Sequence, residues 1–380
     1  MAGIYIHIPF CKKACHYCNF HFSTQTQHID AFLEALLIEI ELRKDYVSTP
    51  IQTIYFGGGT PSLLSSIQLH KIMNALKKHF VLHESIEFSL EANPDDINNE
   101  QLKLWKQLGV NRLSIGIQSF QNDALSWMNR AHEVGQSHQA IQSAQKAGFE
   151  NISIDLIYGT PHYTKDQLLA DLNLIKAYAI PHISCYALTV EEKTALHSMI
   201  QKGQISNVVN EEQAAHFEII VDFLQEQGFE HYEISNFAKP GSRSQHNSSY
   251  WKGIEYLGLG PSAHSYNGST RQWNIANNAL YIQALKKGEL NFESETLNLS
   301  TQYNEYIMIS LRCMEGFSLS LIETKFGAAY LKHTQQIMNQ LEQQKIFNQT
   351  NDGYCLERSA KFLADGIASE FFIVGSSPSL

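Results

Sequence analysis

Six times between Ile4 and Gln227 a short apolar run is followed by an amphipathic stretch of helical period. The runs Ile4–Ile8, Thr53–Phe56, Ile86–Leu90, Arg112–Ile117, Ile152–Ile157 and Ile183–Ala187 read as strands. Helical patterns follow at Asp30–Lys44, Ser65–His79, Asn99–Leu108, Ser137–Ala147, Thr164–Ala177 and Glu211–Gln227, the last stopped by Gly228. Strands joined by helices run in parallel, and continuous apolar strands lie in a sheet covered by helices. The period leaves an open doubly wound sheet and a complete or partial barrel as alternatives. From Ser235 to about Asn278 a stretch rich in Gly, Ser, Asn and aromatics has no clean period. Helical patterns return at Tyr303–Arg312, Leu319–Phe326 and Tyr330–Gln344, and Asn351-Asp-Gly marks a hairpin turn within Ile346–Leu356. The expected division is a barrel-like unit over 1–235, a connecting segment over 236–295 and a helical or winged-helix-like domain over 296–380.

Composition narrows the class. A formal charge of -10 on 380 residues argues against a general nucleic-acid surface. No run of about 18 apolar residues is present, so no transmembrane helix is expected. Met1-Ala-Gly-Ile-Tyr-Ile-His has no basic region ahead of an apolar segment and is not read as a secretory signal. Three of the six cysteines fall within eight residues, at Cys11, Cys15 and Cys18, while Cys185, Cys313 and Cys355 are scattered and read as ordinary thiols. Such clustering without an export signal reads as metal chemistry in a reducing, cytoplasmic compartment.

The triad Cys11-Lys-Lys-Ala-Cys15-His-Tyr-Cys18 follows the first strand. Three thiolates in one loop suit zinc, copper(I) or an iron–sulfur cluster. Zinc needs a fourth ligand, for which His16 or His21 is at hand. A cubane held by three thiolates leaves one iron open. With Tyr17 just before the last cysteine, the spacing resembles that of radical S-adenosylmethionine (SAM) proteins. The resemblance implies a [4Fe-4S] cluster whose open iron chelates SAM, with reductive cleavage to a 5′-deoxyadenosyl radical. In that light Gly57-Gly58-Gly59-Thr60-Pro61, after the second strand, is the loop that lets the SAM methionine approach the backbone. Glu91, Gln118 and Asp155 lie at or near the ends of successive strands, where a parallel barrel places its ligands. Their carboxylates and amide suit ribose hydroxyls and an ammonium, and Arg130 suits a carboxylate.

Within that superfamily the chain resembles the oxygen-independent coproporphyrinogen III oxidase family, which includes a branch of haem chaperones. The likeness rests on Tyr5-Ile-His-Ile-Pro-Phe-Cys11, the glycine loop, Asn111–Gln118, Asp155–Pro161, Asn236–Pro240 and Gly258–Ala263, and spans nearly the whole chain. It implies a partial (β/α)6 barrel with a C-terminal helical domain, a cluster on Cys11, Cys15 and Cys18, and SAM contacts at Tyr5, Gly58, Gly59, Thr60, Glu91, Gln118, Arg130 and Asp155. Oxidases of the family carry a fourth cysteine where Phe20 stands, and an N-terminal arm ahead of the residue matching Tyr5. Both departures favour the chaperone branch, as does His246-Asn-Ser-Ser-Tyr-Trp251, similar to that branch's HNxxYW motif. The resemblance therefore implies haem as cargo, an acceptor protein to receive it and an electron donor, with His246 the candidate haem ligand and His264 a second. The competing expectations are the oxidase itself and a zinc-stabilised binding module without redox chemistry.

Overall fold

The structure, a computed structural model, describes residues 1–161 and 163–375. Strands β1 (Ala2–Ile8), β2 (Ile51–Gly58), β3 (Leu82–Ala92), β4 (Arg112–Gln118), β5 (Asn151–Tyr158) and β6 (His182–Ala187) pair in parallel and in chain order. The helices Ile29–Leu42, Ser66–His79, Asn99–Leu108, Val134–Lys146 and Lys165–Ala177 connect them, with Asn210–Glu226 following β6. Local chemistry sets their ends. Ser65 Oγ accepts from the Gln68 N–H while the Gln68 side chain accepts from the Ser65 N–H, a reciprocal cap. The fourth helix starts three residues before its apolar pattern because Gln136 caps the Glu133 N–H at 3.0 Å.

The strands are apolar on one face only. Ile4, Ile6, Ile54, Phe56, Phe88, Leu90, Leu113, Ile115, Ile152, Ile154 and Ile183 are buried in the main core. The alternate residues line the inner face and are polar: Tyr55, Glu91, Arg112, Ser114, Ser153, Asp155, His182 and Ser184 surround a cavity of about 40 Å³. The expectation of continuous apolar strands thus holds for the face under the helices. A polar lumen is what a barrel built around a polar ligand requires.

The aperiodic stretch and its flanks extend the sheet on both sides. β7 (Glu230–Glu233) and β8 (Asn236–Ala238) add antiparallel to β6. On the other side β9 (Tyr256–Leu259) pairs with β1 as a further parallel strand, and β10 (His264–Tyr266), β11 (Thr270–Asn274) and β12 (Phe292–Thr296) follow antiparallel. Twelve strands result, with β7 and β12 at the two edges, so the barrel is open. Strands of three to five residues are too short to register a period, which is why residues 236–295 read as a connection.

A second core collects Tyr303, Ile307, Leu311, Phe317, Ile322, Phe326, Tyr330 and Phe371. It is formed by helices Leu299–Arg312, Leu319–Phe326, Ala328–Leu341 and Ala364–Glu370 with the small sheet of β13 (Phe317–Ser318), β14 (Phe347–Gln349) and β15 (Gly353–Leu356). Arg312 ties it to the barrel through Glu233 at 3.1 Å. Among the described residues no helix is long and apolar enough to cross a membrane.

Candidate functional site

The site lies at the carboxyl ends of β1–β5. The loop after β1 is stitched to its surroundings by backbone: Cys11 N–H donates to Ser23 O at 3.0 Å, His16 N–H to Met128 O at 3.2 Å, and Leu196 N–H to His16 O at 2.8 Å. Tyr17 packs against a small apolar cluster of Leu125, Met128, Leu188 and Leu196. These ties fix the loop while its three thiols stay half-buried, free and unpaired in disulfides.

The thiols share one environment. Burial raises Cys11 to about 11, although a hydrogen bond with Thr60 acts in the opposite direction, and Cys15 and Cys18 raise it further by their charge. Burial also raises Cys18, with Cys15 adding to the effect. Arg130 supplies the nearby positive charge: its Nη1 donates to Cys15 Sγ and to Tyr17 Oη, both at 3.4 Å. One guanidinium cannot neutralise three thiolates. A coordinated metal does, because ligation deprotonates a thiol outright. Among the described residues no three His, Cys, Asp or Glu side chains converge as a site for a single ion. His16 and His21, the fourth ligands a zinc reading would use, bond to Trp127 O at 2.8 Å and Asn278 Oδ1 at 2.7 Å.

The glycine loop fits against this loop without room for side chains. Gly58 has φ +104°, and a Cβ there would meet the His7 ring at 2.4 Å. A Cβ on Gly59 would meet Ile8 O and Phe10 O at 2.6 and 2.7 Å. Gly58 N–H donates to Glu91 Oε2 at 3.2 Å, and Tyr55 Oη donates to Glu91 Oε1 at 2.7 Å. Asn93 donates to Thr60 Oγ1 at 3.2 Å and accepts from Arg130 Nη2 at 2.6 Å, joining both loops. Arg130 Nη2 also donates to Gly116 O at 2.9 Å, while its Nε is buried without a partner. Gln118 ends β4 at φ +66°, a left-handed conformation that costs about 1 kcal/mol or more in a residue with a Cβ and gathers at ligand sites.

Two carboxylates face the same space. Burial raises Glu91 to about 7, with Asp155 adding charge repulsion and the Tyr55 and Gly58 bonds acting against it. Burial raises Asp155 to about 6, held back by hydrogen bonds from Ser184 and Ser114. A cation placed between them would return both to the ionised form. Tyr5, also expected here, lies 3.2 Å through its Oη from His7 Nδ1 and stacks with Tyr55, centroids 6.1 Å apart.

Thr60 and Arg130 thus bond to the thiol loop and Gly59 packs at its base, while Gly58 packs on His7 and Glu91 is tied to Gly58 and Tyr55, with Asp155 beside Glu91 in the lumen. Sequence reading singled out neither Tyr55 nor Asn93. The signal for Tyr55 was the period of two on β2: Thr53, Tyr55 and Gly57 share the inner face.

His246 is placed differently from a ligand. It is 1% exposed on the helix Gln245–Trp251, beneath Tyr55 at a ring-centroid distance of 5.0 Å. Its Nδ1 lies 2.7 Å from Thr53 Oγ1 and its Nε2 2.8 Å from Tyr250 Oη. Glu87 Oε1 receives its backbone N–H at 3.0 Å. Burial lowers it to about 3, so the ring is neutral. Iron binding at either nitrogen would require one of these bonds to break and the helix to move.

An open parallel barrel with a three-thiol loop and a glycine turn at the carboxyl ends of its strands defines the radical SAM class. The family model of the Radical SAM superfamily matches residues 5–175. Among curated proteins, the chain is 35% identical over 377 residues to the Heme chaperone HemW of Bacillus subtilis, covering 98% of this chain and 99% of that one. It is 32% identical to the Heme chaperone HemW of Mycobacterium tuberculosis, covering 96% and 93%. Coproporphyrinogen III oxidase HemN of Escherichia coli, a radical SAM enzyme, superposes with a TM-score of 0.85 over 97% of this chain and 89% of that one, at 23% identity. The chain belongs to the HemW family of radical SAM proteins.

Proposed function

We propose that this protein is a haem chaperone: it binds haem on a radical SAM scaffold and passes it to an acceptor protein. The observation that carries the reading is the end-to-end identity with proteins named Heme chaperone HemW. In this reading Cys11, Cys15 and Cys18 hold a [4Fe-4S] cluster. Bound SAM and cluster supply one-electron chemistry, for which an electron donor is required. The chain's own residues shape the pocket. Arg130 lowers the cost of thiolate charge at Cys15 and orients Asn93. Gly58 and Gly59 admit the methionine of SAM to the backbone, with Thr60 beside Cys11. Glu91 and Asp155 meet its ammonium and ribose hydroxyls, Tyr5 walls the pocket, and Gln118 adds an amide. The three reduced thiols suit a cytoplasmic location.

The test is anaerobic reconstitution followed by iron, sulfide and haem analysis. About four irons per chain and stoichiometric haem are expected. Haem-free protein under saturating haem overturns the chaperone reading. Conversion of coproporphyrinogen III to protoporphyrinogen IX by the same preparation would favour the oxidase.

A further inference from the structure

Gln118, proposed above to offer its amide to SAM, sits in a backbone conformation that needs outside support. Its φ is +66°, and Ser119 N–H donates across it to Ile117 O at 2.8 Å. A bond of this span closed over a residue of positive φ is the rare, strained kind of γ-turn. We infer that Asp171, on the helix Lys165–Ala177, is a positioning residue for the SAM pocket. Its carboxylate holds the chain immediately after this turn and so sets where the Gln118 amide points. The inference rests on the proposed SAM pocket and adds the group that aims one of its contacts.

The carboxylate is fully buried and receives four donors. Asp171 Oδ2 accepts from Ser119 Oγ at 2.8 Å, from Phe120 N–H at 2.9 Å and from Tyr163 Oη at 2.7 Å. Its Oδ1 accepts from Gln121 Nε2 at 2.7 Å. Ser119 Oγ in turn accepts from Gln121 N–H at 3.1 Å. Residues 119, 120 and 121 are therefore all tied to one side chain on the helix beyond β5. Taken out of water, a carboxylate needs such a set of donors, and a strained turn persists only where its neighbours over-determine it. Each condition meets the other here. If Gln118 relaxed to a negative φ, Ser119 and Phe120 would swing away from Asp171 and leave it buried without their bonds.

The far end of the lever is the amide. A Cβ on Gly116 would meet Gln118 Nε2 at 3.0 Å, Arg130 Nη2 at 3.3 Å and Asn93 Oδ1 at 3.6 Å. Gly116, two residues before Gln118 on the same face of β4, thus leaves the amide its place. There it lies beside the guanidinium that bonds to Cys15 and the side chain that joins Arg130 to Thr60. A tie made only for stability has no need to engage the three residues that follow a strained turn. A tie that aims Gln118 does.

The experiment is a double-mutant cycle in anaerobically reconstituted full-length protein, titrated with SAM by calorimetry. Gln118→Ala should weaken SAM binding about tenfold, the loss of one amide contact. Asp171→Asn places an N–H donor where donors converge, and should weaken SAM binding about fivefold. In the Gln118→Ala background the same change should weaken it by less than about twofold, because no amide is left to aim. Equal fold-losses in the two backgrounds would show that Asp171 only supports the fold, and overturn the inference. Unchanged affinity in Asp171→Asn overturns it too. If circular dichroism shows Asp171→Asn unfolded, Ser119→Ala removes a single donor and carries the same cycle: about threefold in the wild-type background and no loss in Gln118→Ala is expected, and equal losses overturn the inference. Wild-type affinity in Gln118→Ala removes that residue from the pocket and the positioning role with it. Absence of SAM binding by the wild-type protein is a separate result, which overturns the radical SAM reading of the pocket itself.

Discussion

The two motif-bearing segments have opposite surroundings. In the cysteine loop, three half-buried thiols share a single guanidinium, and burial raises Cys11 and Cys18 above the ordinary thiol range. In the helix Gln245–Trp251 the histidine has a partner on each ring nitrogen and aromatic rings beside it. Polar groups that a fold leaves poorly compensated are where a ligand completes the balance, whereas a satisfied buried group specifies packing. That comparison supports the loop as the proposed binding site. The helix is a strut beneath Tyr5 and Tyr55.

The largest effect expected is on the loop. Cys15→Ser should cut bound iron from about four per chain to below one, with the circular dichroism spectrum unchanged. Full iron content in that variant would break the comparison at its first side. On the other side, His246→Ala removes a packed ring and orphans Thr53 and Tyr250. It should cost about 3 kcal/mol of unfolding free energy in denaturant titration. A cost below about 1 kcal/mol would show the helix to be a presenting element after all.

Glu91→Gln probes the boundary between the two segments, since Glu91 accepts from both Tyr55 and Gly58. It should weaken SAM binding to the cluster-loaded protein about tenfold by calorimetry. An unchanged affinity would remove Glu91 from the pocket. The smallest effect is on pH dependence. Glu91 is raised by burial to about 7 in the folded chain, so its folded form favours the proton more than its unfolded form does. Any stabilisation from this is present at low pH and lost as pH rises through about 7. Buried neutral histidines such as His246 act in the opposite sense. The readout is therefore a difference: in cluster-free protein, Glu91→Gln should gain stability relative to wild type between pH 5 and pH 8. A constant difference would mean that Glu91 is not desolvated.

Alternation of strand and helix, the C-x3-C-x2-C spacing and the glycine turn are all local, so the parallel strand–helix unit, the thiol loop and its glycine neighbour were legible from residue order, whereas the period left sheet and barrel open. Helix Asn99–Leu108 was read to the residue because Asn98 caps one end and Gly109, at φ +97°, closes the other. Nothing in the chain near His246 says that it will lie beneath Tyr55, which is 191 residues away. Nor does anything near Gly258 say that it will pair with Tyr5. Those relations are set by which strands become neighbours and in what register. Only tertiary structure decides that, because one residue of slip turns every side chain to the opposite face. Sequence thus determined which residues can take part in the chemistry. Folding decided which of them are enclosed and which remain open to a ligand.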